Sequence, residues 1–330
     1  MAKKKSTSKK KKQVEKVEVE KFEGLVTKST GLWYTVIDCE TKKSYQGRLR
    51  GKLKLKGMKL TNPIAVGDLI EYSLEDEIEN TVIIHDILTR KNVILRQSTR
   101  KKYHGHVIAA NIDQAILIAT LALPKTSLGF IDRFLVAAES YNVPTYIAFN
   151  KDDLLDDESR AYLDDLKSIY EPLGYKCIRI SALENSNLDE IKSIIQDKTS
   201  LLVGHSGVGK STLLNNLASN VHQRTDEVSL YANKGKHTTT FAEMFELKDH
   251  NGHLIDTPGI KELGIMGIEE NELGHFFPEI REVMHDCKYN NCTHTHEPHC
   301  RVLELVDEGV IAASRYLSYL SMLEGDDNRK

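Results

Sequence analysis

The chain has 330 residues, 28% of them charged, with a formal net charge of −3. That length accommodates two or three domains with at least one sizeable core, and the near-neutral total excludes a protein that is basic throughout. No run reaches the roughly 18 apolar residues a membrane helix needs, and the start holds no apolar stretch for a secretory leader, so a cytoplasmic protein with no membrane partner is expected.

Charge is unevenly spread. Seven lysines fall within "MAKKKSTSKKKK", and residues 1–20 offer too little apolar surface to offset the entropy of ordering them, so a disordered basic tail is expected. Residues 21–98 follow as short runs with partial period-2 alternation, "FEGLVTKSTGLWYTVID", "SYQGRLRGKLKLKG", "AVGDLIEYSL" and "NTVIIHDILTR", separated by Gly, Asn and Asp turns. The pattern predicts about five strands closing a small β-barrel. Across residues 99–272, strand text such as "ANIDQAILIATLAL", "PTYIAFN", "SLLVG" and "GHLID" alternates with helical text such as "IDRFLVAAESYN", "ESRAYLDDLKSIYEPLG" and "STLLNNLAS". That alternation predicts a parallel sheet with helices on both faces, within a multidomain α/β protein. Residues 273–330 hold a cysteine–histidine cluster and then one helical stretch, "RVLELVDEGVIAASRYLSYLSMLE".

The most specific motif is "GHSGVGKS", which fits GxxxxGK[ST] between a strand and a helix. Its glycines let the backbone of Gly204, His205, Ser206, Gly207, Val208 and Gly209 form a nest of N–H groups around phosphates. Lys210 adds a mobile positive charge, and the Ser211 hydroxyl can ligate magnesium. Base choice falls to "NKDD", Asn150, Lys151, Asp152 and Asp153, which ends another strand. Asp153 can accept two hydrogen bonds from guanine, Asn150 can bond the N7 side and the Lys151 stem can cover the ring. Adenine would leave the carboxylate unpaired, a mismatch that polar sites reject by about 10⁴ or more. In "SAL", Ser181 and Ala182 follow the next strand, where a backbone N–H can meet the guanine oxygen. "DTPG" supplies Asp256, which can hold magnesium through water, and Gly259, whose N–H can meet the terminal phosphate. Between the phosphate loop and DTPG lies "GKHTTT", where Thr239 and Thr240 are candidates for a further magnesium ligand.

In ordinary GTP-binding proteins the phosphate loop precedes the base loop, and here the order is reversed. A site depends on where loops sit in space, so joining the usual ends of a domain and cutting elsewhere preserves it. The order of base loop, SA loop, phosphate loop, Thr loop and DTPG resembles the circularly permuted GTPases.

"CKYNNCTHTHEPHC" then brings three cysteines and three histidines within fourteen residues, a density that points to a structural zinc site of thiolates and an imidazole rather than free thiols or a redox pair. Cys287, Cys292 and Cys300 are the sulfur candidates, and spacing alone leaves His294, His296 and His299 as alternatives for the nitrogen.

The barrel, the permuted GTPase order and the C-x4-C-x-H-x5-C cluster together resemble the ribosome small-subunit-dependent GTPase A family of bacteria. The resemblance implies an OB-fold for residues 21–98, a permuted GTPase domain for 99–272, and a zinc knuckle with helices for 273–330. It selects His294 as the fourth ligand of one zinc ion and assigns Gly204 to Thr212 to the phosphates of GTP or GDP and to magnesium. It also implies action as a monomer in late maturation of the small ribosomal subunit, with 16S rRNA and neighbouring proteins as partners and GTP hydrolysis stimulated there. His299 stands where that family often has glycine, and the lysine tail is an extension the fold does not require. Readings of a checkpoint protein with negligible catalysis, or of a GTPase serving the large subunit, are the alternatives.

The residues themselves support an RNA partner in part: Arg48, Arg50, Lys52, Lys54, Lys56 and Lys59 alternate with Leu and Gly, which makes one face of a ribbon basic. The position after DTPG, where Ras-like enzymes carry a water-orienting glutamine, is Ile260. His237 in the Thr loop is the polar residue expected to take that catalytic role.

Overall fold

The computed structural model describes residues 20–49, 63–97, 105–218, 242–257 and 268–325. The lysine tail, the stretch Arg50 to Lys59, the GKHTTT loop with His237, Thr239 and Thr240, and Gly259 lie outside the described residues.

Five strands build the first unit: β1 (Phe22–Ser29), β2 (Tyr34–Asp38), β3 (Ser44–Leu49), β4 (Leu69–Asp76) and β5 (Thr81–Ile87). They run in the order β1-β2-β3-β5-β4, and β4 pairs back to the first half of β1, so the described strands close a barrel. Only the β3–β5 pairing is parallel. Alternate residues turn inward, as the period-2 pattern requires, and Val26, Val36, Tyr45, Ile70, Tyr72, Val82 and Ile84 fill the interior. A hairpin of β6 (Val93–Gln97) and β7 (Gly105–Ala110) then leads into the second unit. The fully buried Asp68 accepts a two-pronged bond from Arg90, 2.7 Å on each side, and Ala110 N–H donates to the Val66 carbonyl at 2.9 Å. These contacts tie the barrel to the hairpin.

The second unit is an open sheet of β8 (Gln114–Ala119), β9 (Thr145–Phe149), β10 (Cys177–Arg179), β11 (Thr199–Val203), β12 (Glu243–Leu247) and β13 (Gly252–Asp256), in the order β10-β9-β8-β11-β13-β12. The first five positions are mutually parallel. β12 differs from the all-parallel expectation: only four residues separate it from β13, which permits an antiparallel return but no crossover. Its outer edge meets the barrel, with Lys28 of β1 opposite Glu243 and the two side chains 3.0 Å apart.

Both faces of the sheet are covered, which explains why β8 reads as an unbroken apolar run. On one face α1 (Leu128–Ser140) and α2 (Asp157–Tyr170) pack on Ala115, Leu117, Ile147, Phe149 and Leu201. On the other, α3 (Leu188–Ile195) and α4 (Lys210–Leu217) pack on Ile116, Ile118, Ala148, Leu202 and Leu254.

The last unit contains α5 (Pro278–Val283), α6 (Arg301–Asp307) and α7 (Ala313–Leu323) around Phe277, Ile280, Val302, Leu305, Ile311 and Tyr319. The helical stretch expected from the sequence forms two helices, because Gly309 adopts φ +75° and ends the first. Val136 of α1 belongs to this third core while Phe134 and Leu135 belong to the sheet, so α1 is buried from both sides. No helix among the described residues is long and apolar enough to cross a membrane.

Candidate nucleotide and metal sites

The described site loops leave the carboxyl ends of parallel strands, where ligands bind in open α/β sheets. Asn150 follows β9, Ser181 lies just past β10, Gly204 follows β11 and Asp256 closes β13. Asn150 is the residue that brings three of them together. Its side chain, 4% exposed, donates from Nδ2 to the Val208 carbonyl at 2.7 Å and accepts at Oδ1 from the Ala182 N–H at 2.9 Å. Base loop, SA loop and phosphate loop are thereby fastened to one amide. Asn216 of α4 adds a bond to the Ala182 carbonyl at 2.5 Å.

Asp153 accepts from the Ser181 hydroxyl, which in turn accepts from Glu184 N–H at 3.1 Å. Lys151 sits at φ +70° and donates to the Leu123 carbonyl. The Asp152 carboxylate is taken by Arg179 at 3.2 Å and Arg160 at 3.5 Å.

In the phosphate loop, Gly204 and Gly209 have φ +154° and +98°, and a Cβ at Gly209 would lie 2.2 Å from Asn150 Nδ2, so the fold admits only glycine there. The buried Lys210 ammonium donates to the carbonyls of Gly204 and His205 at 2.7 and 2.8 Å, an arrangement that keeps the charge inside the loop. Ser211 and Thr212 form the first turn of α4, whose amino terminus faces the loop and favours anions. The His205 ring lies on Phe130 of α1, with centroids 3.8 Å apart.

Asp256 is half-buried, and its Oδ1 is fully buried and unpartnered. Burial pushes its carboxyl up to about 6, with Lys210 pulling the other way and Glu243 adding to the rise. Burial likewise lowers the Lys210 pKa, against the Asp256 charge. An orphaned buried carboxylate oxygen beside the phosphate loop fits a magnesium site, since an ion or its water would complete the missing interactions. Adjacent Thr257 is pinned by its hydroxyl to the Leu202 carbonyl at 2.9 Å, a brace that sequence reasoning missed.

The second site lies in the last unit. Cys287, Cys292, His294 and Cys300 bring their ligand atoms within 4.8 Å of one another. Zinc–sulfur and zinc–nitrogen bonds of about 2.3 and 2.0 Å imply tetrahedral edges of roughly 3.8 Å between sulfurs and roughly 3.5 Å between sulfur and nitrogen. Observed separations are 3.8 Å for Cys287 to Cys300, and 3.6 and 3.5 Å from those sulfurs to His294 Nδ1. The donor set therefore fits a tetrahedral metal with thiolate and imidazole ligands. His294 and His299 adopt φ +56° and +59°, so the position where glycine was the common residue is left-handed here. Glu297 organises the loop, accepting from Thr293 N–H at 2.7 Å, Thr293 hydroxyl at 2.6 Å and Thr295 N–H at 3.0 Å. Tyr316 and Tyr319 of α7 donate to the carbonyls of His294 and Thr293 at 2.7 and 2.8 Å.

A phosphate loop and a base loop in reversed chain order, locked together at the carboxyl ends of one sheet, define a circularly permuted GTPase. Family comparison makes this particular. A family model described as RsgA GTPase matches residues 87–266, and one described as RsgA N-terminal domain matches residues 23–82. Similar curated proteins include the small ribosomal subunit biogenesis GTPase RsgA 2 of Bacteroides thetaiotaomicron, 47% identical over 94% of this chain and 98% of its own length. The small ribosomal subunit biogenesis GTPase RsgA of Flavobacterium johnsoniae is 46% identical over 92% of this chain and 93% of its own. Among solved structures, YjeQ from Thermotoga maritima matches with TM-score 0.71 and 35% identity over 94% of this chain and all of that one. YloQ, described as a circularly permuted GTPase, matches with TM-score 0.67 and 29% identity over 96% of this chain and 99% of that one. The chain belongs to the RsgA GTPase family and is a GTP hydrolase.

Proposed function

We propose that this protein acts in late maturation of the small ribosomal subunit, binding 16S rRNA and hydrolysing GTP when the subunit stimulates it. It works as a cytoplasmic monomer. Its divisions are a basic tail (1–20), an RNA-binding barrel (21–98), the GTPase domain (99–272) and a zinc module (273–330). Asp153, Asn150, Lys151, Ser181 and Ala182 serve the guanine base, with Asp152 completing the loop. Gly204 to Thr212 serve the phosphates, while Ser211, Asp256 and one of Thr239 and Thr240 serve magnesium. Gly259 meets the terminal phosphate. Cys287, Cys292, His294 and Cys300 hold one structural zinc ion.

The observation that carries this reading is the Asn150 brace, which gathers base, SA and phosphate loops into one site despite their permuted order. Placement of the RNA-facing barrel is the second support: β1 docks on β12, the strand that emerges directly from the segment bearing His237. The ribosomal partner is carried over from the named activity of the curated relatives. On the barrel, the Arg48 guanidinium is engaged by the Glu75 carboxylate.

Hydrolysis of GTP measured with purified small subunits, with large subunits and without ribosomes tests the reading. Stimulation by small subunits alone is the expected result; equal stimulation by large subunits, or none by either, overturns it. For the chemistry, we assign His237 to positioning the attacking water. Replacing it, His237→Ala, should leave GTP affinity nearly intact and lower subunit-stimulated turnover by at least about 10², the lower end of acid–base contributions. A fall of only a few-fold in single-turnover assays would make His237 a conformational latch.

A further inference from the structure

The loops assigned so far leave β9, β10, β11 and β13, whereas the carboxyl end of β8 has no role. It is the central one, because β8 lies between β9 with its base loop and β11 with its phosphate loop. The segment after it, Thr120 to Thr126, touches both neighbours. Its Leu123 carbonyl accepts from Lys151 Nζ. On the other side Pro124 borders Gly207, where an added Cβ would lie 3.5 Å from the proline Cδ.

The segment is clasped rather than loose. Thr120 N–H donates to the Thr126 hydroxyl at 3.0 Å, Thr126 N–H donates to the Thr120 carbonyl at 2.8 Å, and the Thr120 hydroxyl donates to the Pro124 carbonyl. Both threonines are buried, at 1% and 4% exposure, while Leu123, Pro124 and Lys125 between them are exposed. Ser127 then caps α1 through Phe130 N–H, and Phe130 stacks on His205. One continuous stretch thus contacts the base loop once and the phosphate loop twice.

A lysine side chain loses rotamer entropy when it is immobilised. A lysine already fixed by a charge-assisted bond spares nucleotide binding that cost. We propose that Thr120 to Thr126 is a positioning loop of the guanine-nucleotide site, whose Leu123 carbonyl holds Lys151 in place and whose Pro124 backs Gly207. The inference rests on the assignment of Lys151 and the phosphate loop to the nucleotide.

Release of a fluorescent GDP analogue, followed by stopped flow on the full chain, tests it with Thr126→Val, Thr126→Ser, Pro124→Gly, Lys151→Ala and the Thr126→Val/Lys151→Ala double variant. Thr126→Val removes the clasp acceptor and should speed release about tenfold, the factor that 1.4 kcal/mol represents. Thr126→Ser keeps the hydroxyl and should restore the wild-type rate. Both changes share the Lys151 ammonium group, so the double variant should exceed Lys151→Ala by no more than the factor by which Pro124→Gly exceeds wild type, whereas independent sites would multiply in full. Pro124→Gly alters an exposed residue, so it folds whatever becomes of Thr126→Val, and it too should speed release. Multiplying effects in the double variant, equal rates for Thr126→Ser and Thr126→Val, or a wild-type rate for Pro124→Gly each overturn the inference. An unchanged rate for Lys151→Ala is a different failure, since it removes the base-loop assignment and the inference together.

Discussion

Asn150 shows how a permuted chain keeps one site: side-chain bonds to Val208 and Ala182 do what chain order does not. Around it, single residues carry separable chemistry. Asp153→Asn turns a donor toward guanine's own donors, so GTP should bind about 10- to 100-fold more weakly, the 1–3 kcal/mol of an unsatisfied polar group. Xanthosine triphosphate, which offers an acceptor there, should gain; competition binding with both nucleotides checks the exchange. Asp256 carries a pH signature. Its carboxyl titrates near 6 in the fold, above the usual carboxylate value of about 3.9, so the unfolded chain ionises first as pH rises. Stability is therefore lost between about pH 4 and pH 6 and levels off above, with a total on the order of 3 kcal/mol at 1.36 kcal/mol per unit. Asp256→Asn should remove that loss, making the nucleotide-free protein more stable in chelator at pH 7, while weakening magnesium-dependent GTP binding. Urea unfolding from pH 4 to pH 8 reads both the slope and its disappearance.

Among elements, the cysteine–histidine loop is held largely by polar ties to its surroundings. Glu297 gathers its backbone, and the tyrosines of α7 hold it from outside. Cys292→Ser should lower zinc content below one equivalent and melt this unit at a lower temperature, because zinc supplies about 10 to 16 kcal/mol to comparable small folds. GDP binding should persist, since the nucleotide loops stand on a different core. Metal analysis of the wild type in non-chelating buffer finding no zinc would sink the assignment.

At the scale of the molecule, α1 is the junction. The Arg315 guanidinium of α7, 1% exposed, bonds Asp132 of α1 at 2.7 Å and Glu279 of α5 at 2.7 and 3.2 Å, and Tyr170 of α2 donates to Asp132 at 2.8 Å. Burial pushes the Asp132 carboxyl up against the pull of Arg315. Arg315→Ala would leave two carboxylates without their counter-charge, and breaking a buried pair in this way costs about 3–5 kcal/mol. Thermal unfolding of the zinc-loaded protein should fall accordingly. An unchanged melting temperature would mean that the sheet and the last unit are held together by apolar packing alone.

What the sequence determined by itself was local chemistry. Phosphate loop, base loop and DTPG are short motifs whose residue types point to guanine-nucleotide chemistry, the cysteine–histidine density points to a metal while leaving three histidines open, and the alternating and helical periods point to barrel and sheet. Even the break at Gly309 is present as a glycine inside a helical pattern. Tertiary structure decided what depends on distant partners. The reversal of β12 against β13 and its docking on β1 follow from strand pairing across the sheet. The clasped loop after β8 acquires meaning only once β8 lies between the two nucleotide strands. Asp132 and Arg315, 183 positions apart, read singly as an ordinary helix acid and an ordinary helix base. Periodicity reports which way a residue faces within its own element, and it carries no information about which element lies across the core.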